Sequence, residues 1–126
     1  MRVPRTQVFV LILGLGVGIT HAAPGDPVGS EFQVNSFTVG AQRVFGQPVA
    51  QVGTGFVVVW RSDGGSPGDA AFSIEGKRFD GAGHPIGAEF QVNTHTTGDQ
   101  GAPSVAPIGS GKFVVVWRSY DTERTR

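Results

Sequence analysis

Phe56-Val57-Val58-Val59-Trp60 is an unbroken apolar run. In an extended chain it puts Phe56, Val58 and Trp60 on one face and Val57 and Val59 on the other. A strand that is apolar on both faces needs cover on both, as in a sheet stacked between neighbouring sheets or in a sandwich interior. Ahead of it, Pro48 to Val52 predicts an inner strand joined through a tight hairpin at Gly53-Thr54-Gly55. After the polar stretch Arg61 to Ala70, Ala71 to Phe79 predicts a third strand. Its phase shifts around Gly76, as expected of a bulge or strong twist. Asp80-Gly81-Ala82-Gly83 then turns the chain into Ala88 to Asn93, where Phe90 and Val92 alternate with polar neighbours, the pattern of an outer strand with one solvated face.

The same landmarks occur twice. VGSEFQVN at 28–35 returns as IGAEFQVN at 86–93, an offset of 86 − 28 = 58, and FVVVWRS at 56–62 returns at 113–119, an offset of 113 − 56 = 57. So constant a spacing marks a duplicated supersecondary unit. The second copy repeats the hairpin as Ser104 to Ile108, the turn Gly109-Ser110-Gly111-Lys112, and Phe113 to Trp117.

Four antiparallel strands in a repeated unit of about 40–50 residues describe a β-propeller blade. The expected fold is therefore all-β, a partial β-propeller with about one full four-stranded blade and pieces of two others. A β-sandwich is the alternative, and pairing of the two FVVVW strands within one sheet would favour it. The first EFQVN, Glu31 to Asn35, has no inner strands before it, the arrangement expected where an N-terminal strand completes the last blade of a ring.

KRFDGAGHPIGAEFQVN, followed by a Gly- and Pro-bearing linker and GSGKFVVVWRSYD, resembles a propeller-like repeat of large secreted bacterial proteins. Those proteins often carry hemolysin-type calcium-binding nonapeptide tracts elsewhere in the chain. The resemblance covers nearly all of 28–121 and implies an extracellular repeat region, with no known reaction or ligand. The chain departs from the pattern after Asp121, where a glycine-rich loop and a third strand are expected and Thr122 to Arg126 stand instead.

Residues 1–22 read as a secretory signal peptide. Arg2 and Arg5 precede an apolar segment from Val8 to Ile19, and Thr20-His21-Ala22 ends in a small residue suited to cleavage. The apolar run of about 12 residues falls short of the roughly 20 that span a bilayer. The β-repeat region is then 23–126, with landmarks at 28–62 and 86–119 and a secreted or cell-surface destination. Without Arg2 and Arg5 it carries 8 − 10 = −2 formal charges, which gives no case for binding nucleic acid or an anionic membrane. The chain lacks cysteine, so stability rests on burial and backbone pairing, and its Gly and Pro, 20 and 8 in the whole sequence, concentrate between apolar runs as turn residues. About 104 residues at a period near 57 make fewer than two units, against the roughly four to eight blades of a closed ring, so a fragment of a longer chain or self-association is expected.

The candidate chemistry is sparse. Gly64 to Phe72 overlays the calcium nonapeptide at Gly64, Gly65 and Asp69, but Pro67 replaces a required glycine. Asp63 and Asp69 stand as weak calcium ligands, with ordinary turn residues as the competing reading. Gly109-Ser110-Gly111-Lys112 fails as a phosphate loop, because Ala106 replaces the first glycine and Phe113 the hydroxyl that binds magnesium. Trp60-Arg61 and Trp117-Arg118 resemble sugar-stacking pairs, yet the recurring tryptophan faces point to core packing, each indole N–H needing a buried acceptor. Arg61 and Arg118 then pair with acids such as Asp63 or Asp121. His84, His95 and Asp99 lack zinc or triad spacing, and among Asp80, Glu31, Glu75 and Glu89 the equivalence of Glu31 with Glu89 indicates a repeat role.

These readings predict a secreted structural or binding repeat module without catalysis or cofactor of its own, suited to surface adhesion or to carbohydrate or protein recognition. Its partners are an extracellular ligand or further blades. The alternative is the N-terminal portion of a secreted hydrolase whose active site lies outside this chain. Binding is expected in the loops Asp63 to Ala70 and Thr94 to Gly101.

Overall fold

The computed structural model describes residues 7–10, 29–64 and 72–120, and among them there is no helix. In chain order the strands are β1 (Phe9–Val10), β2 (Phe32–Gln33), β3 (Gln42–Arg43), β4 (Val49–Val52), β5 (Gly55–Ser62), β6 (Ser73–Phe79), β7 (Phe90–Gln91), β8 (Asp99–Gly109) and β9 (Lys112–Tyr120). They form three antiparallel sheets. The central one runs β3-β5-β6-β7, with β4 also on β5, and the flanking sheets are β1-β2 and β8-β9.

The apolar run 56–60 lies in β5 at the centre of the middle sheet. On one edge β5 pairs β6 from Phe56–Phe79 to Ser62–Ser73. On the other it pairs β4 near the hairpin and β3 at Arg61 and Ser62. β3 and β4 together thus occupy the place that the single long β8 takes beside β9 in the second copy, where register shifts fall between Gly101 and Ser104 and between Pro107 and Gly109. The expected inner strands Pro48–Val52 and Ser104–Ile108 were therefore only part of this element. Gln42–Arg43 and Asp99–Pro103 extend it through sequence that reads as loop.

Both hairpins turn on two residues with φ signs suited to strand twist. Gly53 has φ of 61° in the first, while Ser110 and Gly111 have φ of 51° and 70° in the second. These are the II′-like and I′-like arrangements that keep antiparallel strands in register.

The third strand differs from expectation. β6 begins at Ser73 and pairs with β5 residue for residue through Gly76, without a bulge. Gly76 is there for space: it sits opposite Phe90, and a Cβ on it would lie 2.8 Å from the phenyl ring. What reads along the chain as a phase shift is a side chain left out to admit an aromatic ring from β7.

The two faces of β5 bury two separate cores. Val58 and Trp60 pack with Phe79, Val34 and Val8, with Phe32 and Phe56 alongside. The Phe56 and Phe79 rings stack at 5.2 Å, and Phe32 meets Phe79 at 5.3 Å. On the opposite face, Val57 and Val59 pack with Ala50, Val52 and Val105, with Phe90, Phe113 and Val115 alongside. Val57, Val59 and Trp60 are fully buried, which matches the cover on both sides that the run 56–60 demands. The two FVVVW strands lie in different sheets, stacked face to face.

Candidate functional site

Repeated polar side chains tie neighbouring strands together within each sheet. Trp60 donates its indole N–H to Gln42 Oε1 at 3.0 Å, and Gln42 Nε2 donates to the Val39 carbonyl at 3.2 Å. In the second copy Trp117 donates to Gln100 Oε1 at 2.9 Å, and Gln100 Nε2 to the Thr97 carbonyl at 3.2 Å. Both glutamines are fully buried. They are the acceptors that the tryptophans require. Sequence reasoning missed them, although Gly-x-Gln recurs at Gly40-Ala41-Gln42 and Gly98-Asp99-Gln100. The two copies differ in one respect: Trp60 is buried, whereas Trp117 is 37% exposed.

The EFQVN asparagines act alike. Asn93 Oδ1 accepts the Ile74 N–H at 2.7 Å and its amide donates to the His95 carbonyl at 2.9 Å. Asn35 Oδ1 accepts the Val8 N–H at 3.1 Å and its amide donates to the Phe37 carbonyl at 2.9 Å. Glu89 bridges the copies by accepting the Ser36 N–H at 2.6 Å, and Lys77 donates to Ser36 Oγ at 2.9 Å. The remaining acids are dispersed: Glu75 is buried in β6 and accepts from Ser73 Oγ, while Asp80 lies at the turn after it.

Of the two calcium candidates, Asp69 lies outside the described residues. So do Asp121 and most of residues 1–22, the expected signal peptide. Asp63 is described, and its carboxylate accepts from Arg61 Nε at 2.9 Å and lies 3.2 Å from Arg43 Nε. Two guanidinium groups occupy the oxygens that a calcium ion would need. The backbone around it is tight: the Asp63 N–H donates to the Ala41 carbonyl, and a Cβ on Gly40, which has φ of 73°, would run into the Asp63 carbonyl oxygen. Among the described residues no three His, Cys, Asp or Glu gather as a metal-binding group.

β5, β8 and β9 come together at the ends that carry Arg61, Asp99 and Arg118. A cleft of about 90 Å³ there is lined by Phe45, Arg61, Phe72, Asp99, Arg118 and Tyr120 together with residues 100–102. Arg61 lies over the Phe72 ring at 4.2 Å and within 5.5 Å of Phe45, while Arg118 lies 5.3 Å from the Tyr120 ring. Residues 99–101, expected to be a binding loop, form the start of β8 and one wall of this cleft. Two guanidinium groups beside aromatic faces and a carboxylate can hydrogen-bond hydroxyl or carboxylate groups and stack on a ring.

A second, larger groove of about 520 Å³ follows the inner strands, lined by Gln47, Val49, Gln51, Ser104, Ala106 and Pro107, with Val114 and Val116 of β9. Val116 is 61% exposed, although its counterpart Val59 is fully buried. His84 Nδ1 lies 3.0 Å from Asp80 Oδ2 on the exposed turn after β6, and Asp80 Oδ1 accepts the Ala82 and His84 amides. Those bonds, the His84 amide foremost, hold the Asp80 carboxyl below its ordinary value.

No protein-family model matches this chain, and neither a curated protein nor a solved structure is significantly similar to it.

Proposed function

We propose that the chain is a secreted structural and binding repeat module, part of a β-propeller, which presents the Arg61–Arg118 cleft to an extracellular carbohydrate or protein ligand. One observation carries the reading. The repeated Trp60 with Gln42 and Trp117 with Gln100 are spent on internal hydrogen bonds, whereas the repeated Arg61 and Arg118 line one cleft together with Phe45 and Asp99, which the other copy replaces by Pro103 and Ala41. In a repeat scaffold, recognition belongs to what varies between units. The stacking of one sheet on each face of β5 is the packing that successive blades make. The exposed Val114, Val116 and Tyr120 offer a further surface on which more blades or a second copy would sit.

Screening the purified chain against glycan and extracellular-protein arrays tests the binding role. A captured ligand should bind the Arg118→Ala variant at least tenfold more weakly, the cost of about one charge-assisted contact, with unchanged circular dichroism. Equal binding by the variant would remove the cleft from the account. Expression with the native leader, followed by assay of medium and cells, tests export separately.

A further inference from the structure

β1 and β6 hold equivalent places in two different sheets. Ile74 of β6 donates its N–H to Asn93 Oδ1 and accepts the Val92 N–H on its carbonyl at 2.7 Å. Val8, just before β1, donates to Asn35 Oδ1 and accepts the Val34 N–H at 2.9 Å. The ladders continue in the same register, Glu75 opposite Gln91 and Gly76 opposite Phe90 in one, Phe9 opposite Gln33 and Val10 opposite Phe32 in the other. Both segments bury a β-branched aliphatic, Val8 at 5% and Ile74 at 0% exposure, and both asparagines are buried. A segment read as part of a cleavable leader thus fills the third-strand place of an EFQVN unit.

Its hold is weaker than that of β6. β6 is paired along both edges, seven positions deep on β5. β1 pairs only two residues of β2, and Phe9 is 58% exposed. Among the described side chains, what fixes it is the buried Val8, its backbone hydrogen bonds to Asn35 and Val34, and Gln7, whose Oε1 accepts from Asn35 Nδ2 at 2.8 Å and Gln33 Nε2 at 3.2 Å, so the requirement on the occupant is one of shape and main chain with a polar residue ahead of the aliphatic one. Strand addition to a sheet edge recognises a peptide in this way, with main-chain bonds giving affinity and a pocket giving selectivity.

We propose that the cleft between Asn35 and the Val58–Trp60–Phe79 face is a strand-acceptor site, held in cis by Gln7–Val10, which takes an extended peptide with a β-branched aliphatic residue in their place. The peptide comes from another molecule and is gripped by its N–H at Asn35 Oδ1 and its carbonyl at the Val34 N–H. Removal of the leader on export would open the site, and in that clause alone the proposal rests on the secreted-module reading.

The test uses the full chain. A Val8→Asp substitution puts a charge into the apolar slot and expels the cis strand while leaving the acceptor residues intact. The probe is a fluorescent heptapeptide with the sequence of residues 73–79, read by anisotropy. The Val8→Asp chain should bind it saturably. The wild-type chain, blocked in cis, should bind at least tenfold more weakly, and adding Asn35→Ala to Val8→Asp should cost at least tenfold. No binding by Val8→Asp, equal binding of a scrambled peptide, or indifference to Asn35→Ala would overturn the proposal. Should Val8→Asp lose its strand circular dichroism, wild-type chain folded first and then cut at a protease site placed within residues 11–22 must exchange its leader for the peptide, and failure there overturns it too. None of these outcomes depends on export, so failed peptide binding leaves the secretion reading standing, and failed export leaves the peptide result standing.

Discussion

A buried indole N–H is costly without an acceptor, and Gln42 and Gln100 supply one in each copy. The burial difference between the copies sets the size of the effect. Gln42→Ala strands the N–H of a fully buried tryptophan and should destabilise the chain by about 1–3 kcal/mol. Gln100→Ala leaves Trp117, which is 37% exposed, free to reach water, and should cost less than half as much. Urea unfolding of the two variants checks the order, and equal losses would contradict it. Asp80 gives a pH-dependent counterpart. Its folded-state pKa is depressed below the ordinary 3.8, chiefly by the His84 amide. The turn contribution is therefore complete above that ordinary value and is lost as pH falls through the lower folded one. Amide shifts of Ala82 and His84 followed by NMR should titrate together with a midpoint below 3.8, and a midpoint at or above it would count against these bonds. The tryptophan's need for an acceptor was legible in its aromatic run. Which side chain meets it was not, because the glutamines lie 18 and 17 positions upstream, on strands that their own sequence does not announce.

Element boundaries follow the same division. β5 was readable because five apolar residues on two faces admit few environments, and the turns after β4 and β6 because glycine marks them. β3 and the first half of β8 were hidden by Gly and Pro, which in β8 sit at a register shift where the ladder bonds are already broken. At Gly76 the alternation misled for a steric reason, since the missing side chain makes room for Phe90. The candidate cleft was half legible. Arg61 and Arg118 were singled out, but the aromatic neighbours of Arg61, Phe45 and Phe72, come from separate segments on either side of β5. The twin strands allow a direct comparison of identical residues. Val59→Ala removes a fully buried side chain between two sheets and should cost about 1.5–3 kcal/mol. Val116→Ala, at 61% exposure, should stay within about 0.5 kcal/mol. Thermal unfolding of both decides, and similar shifts would mean that the two strands share one environment.

For the molecule as a whole, the central claim is that each FVVVW strand sits in its own sheet and that the sheets stack face to face through Val57 and Val59 on one side and Val105 and Val115 on the other. A sandwich built by pairing the two copies would bury many of the same residues, so burial alone does not separate the alternatives. Backbone pairing does. Nuclear Overhauser contacts between backbone protons of isotope-labelled chain read it directly, because cross-strand Hα and amide pairs come close only within a sheet. The account predicts strong backbone contacts of 56–62 with 73–79 and with 49–52, methyl contacts from Val57 and Val59 to Val105 and Val115, and no backbone contact between 56–60 and 113–117. Backbone contacts between those two FVVVW segments would contradict it.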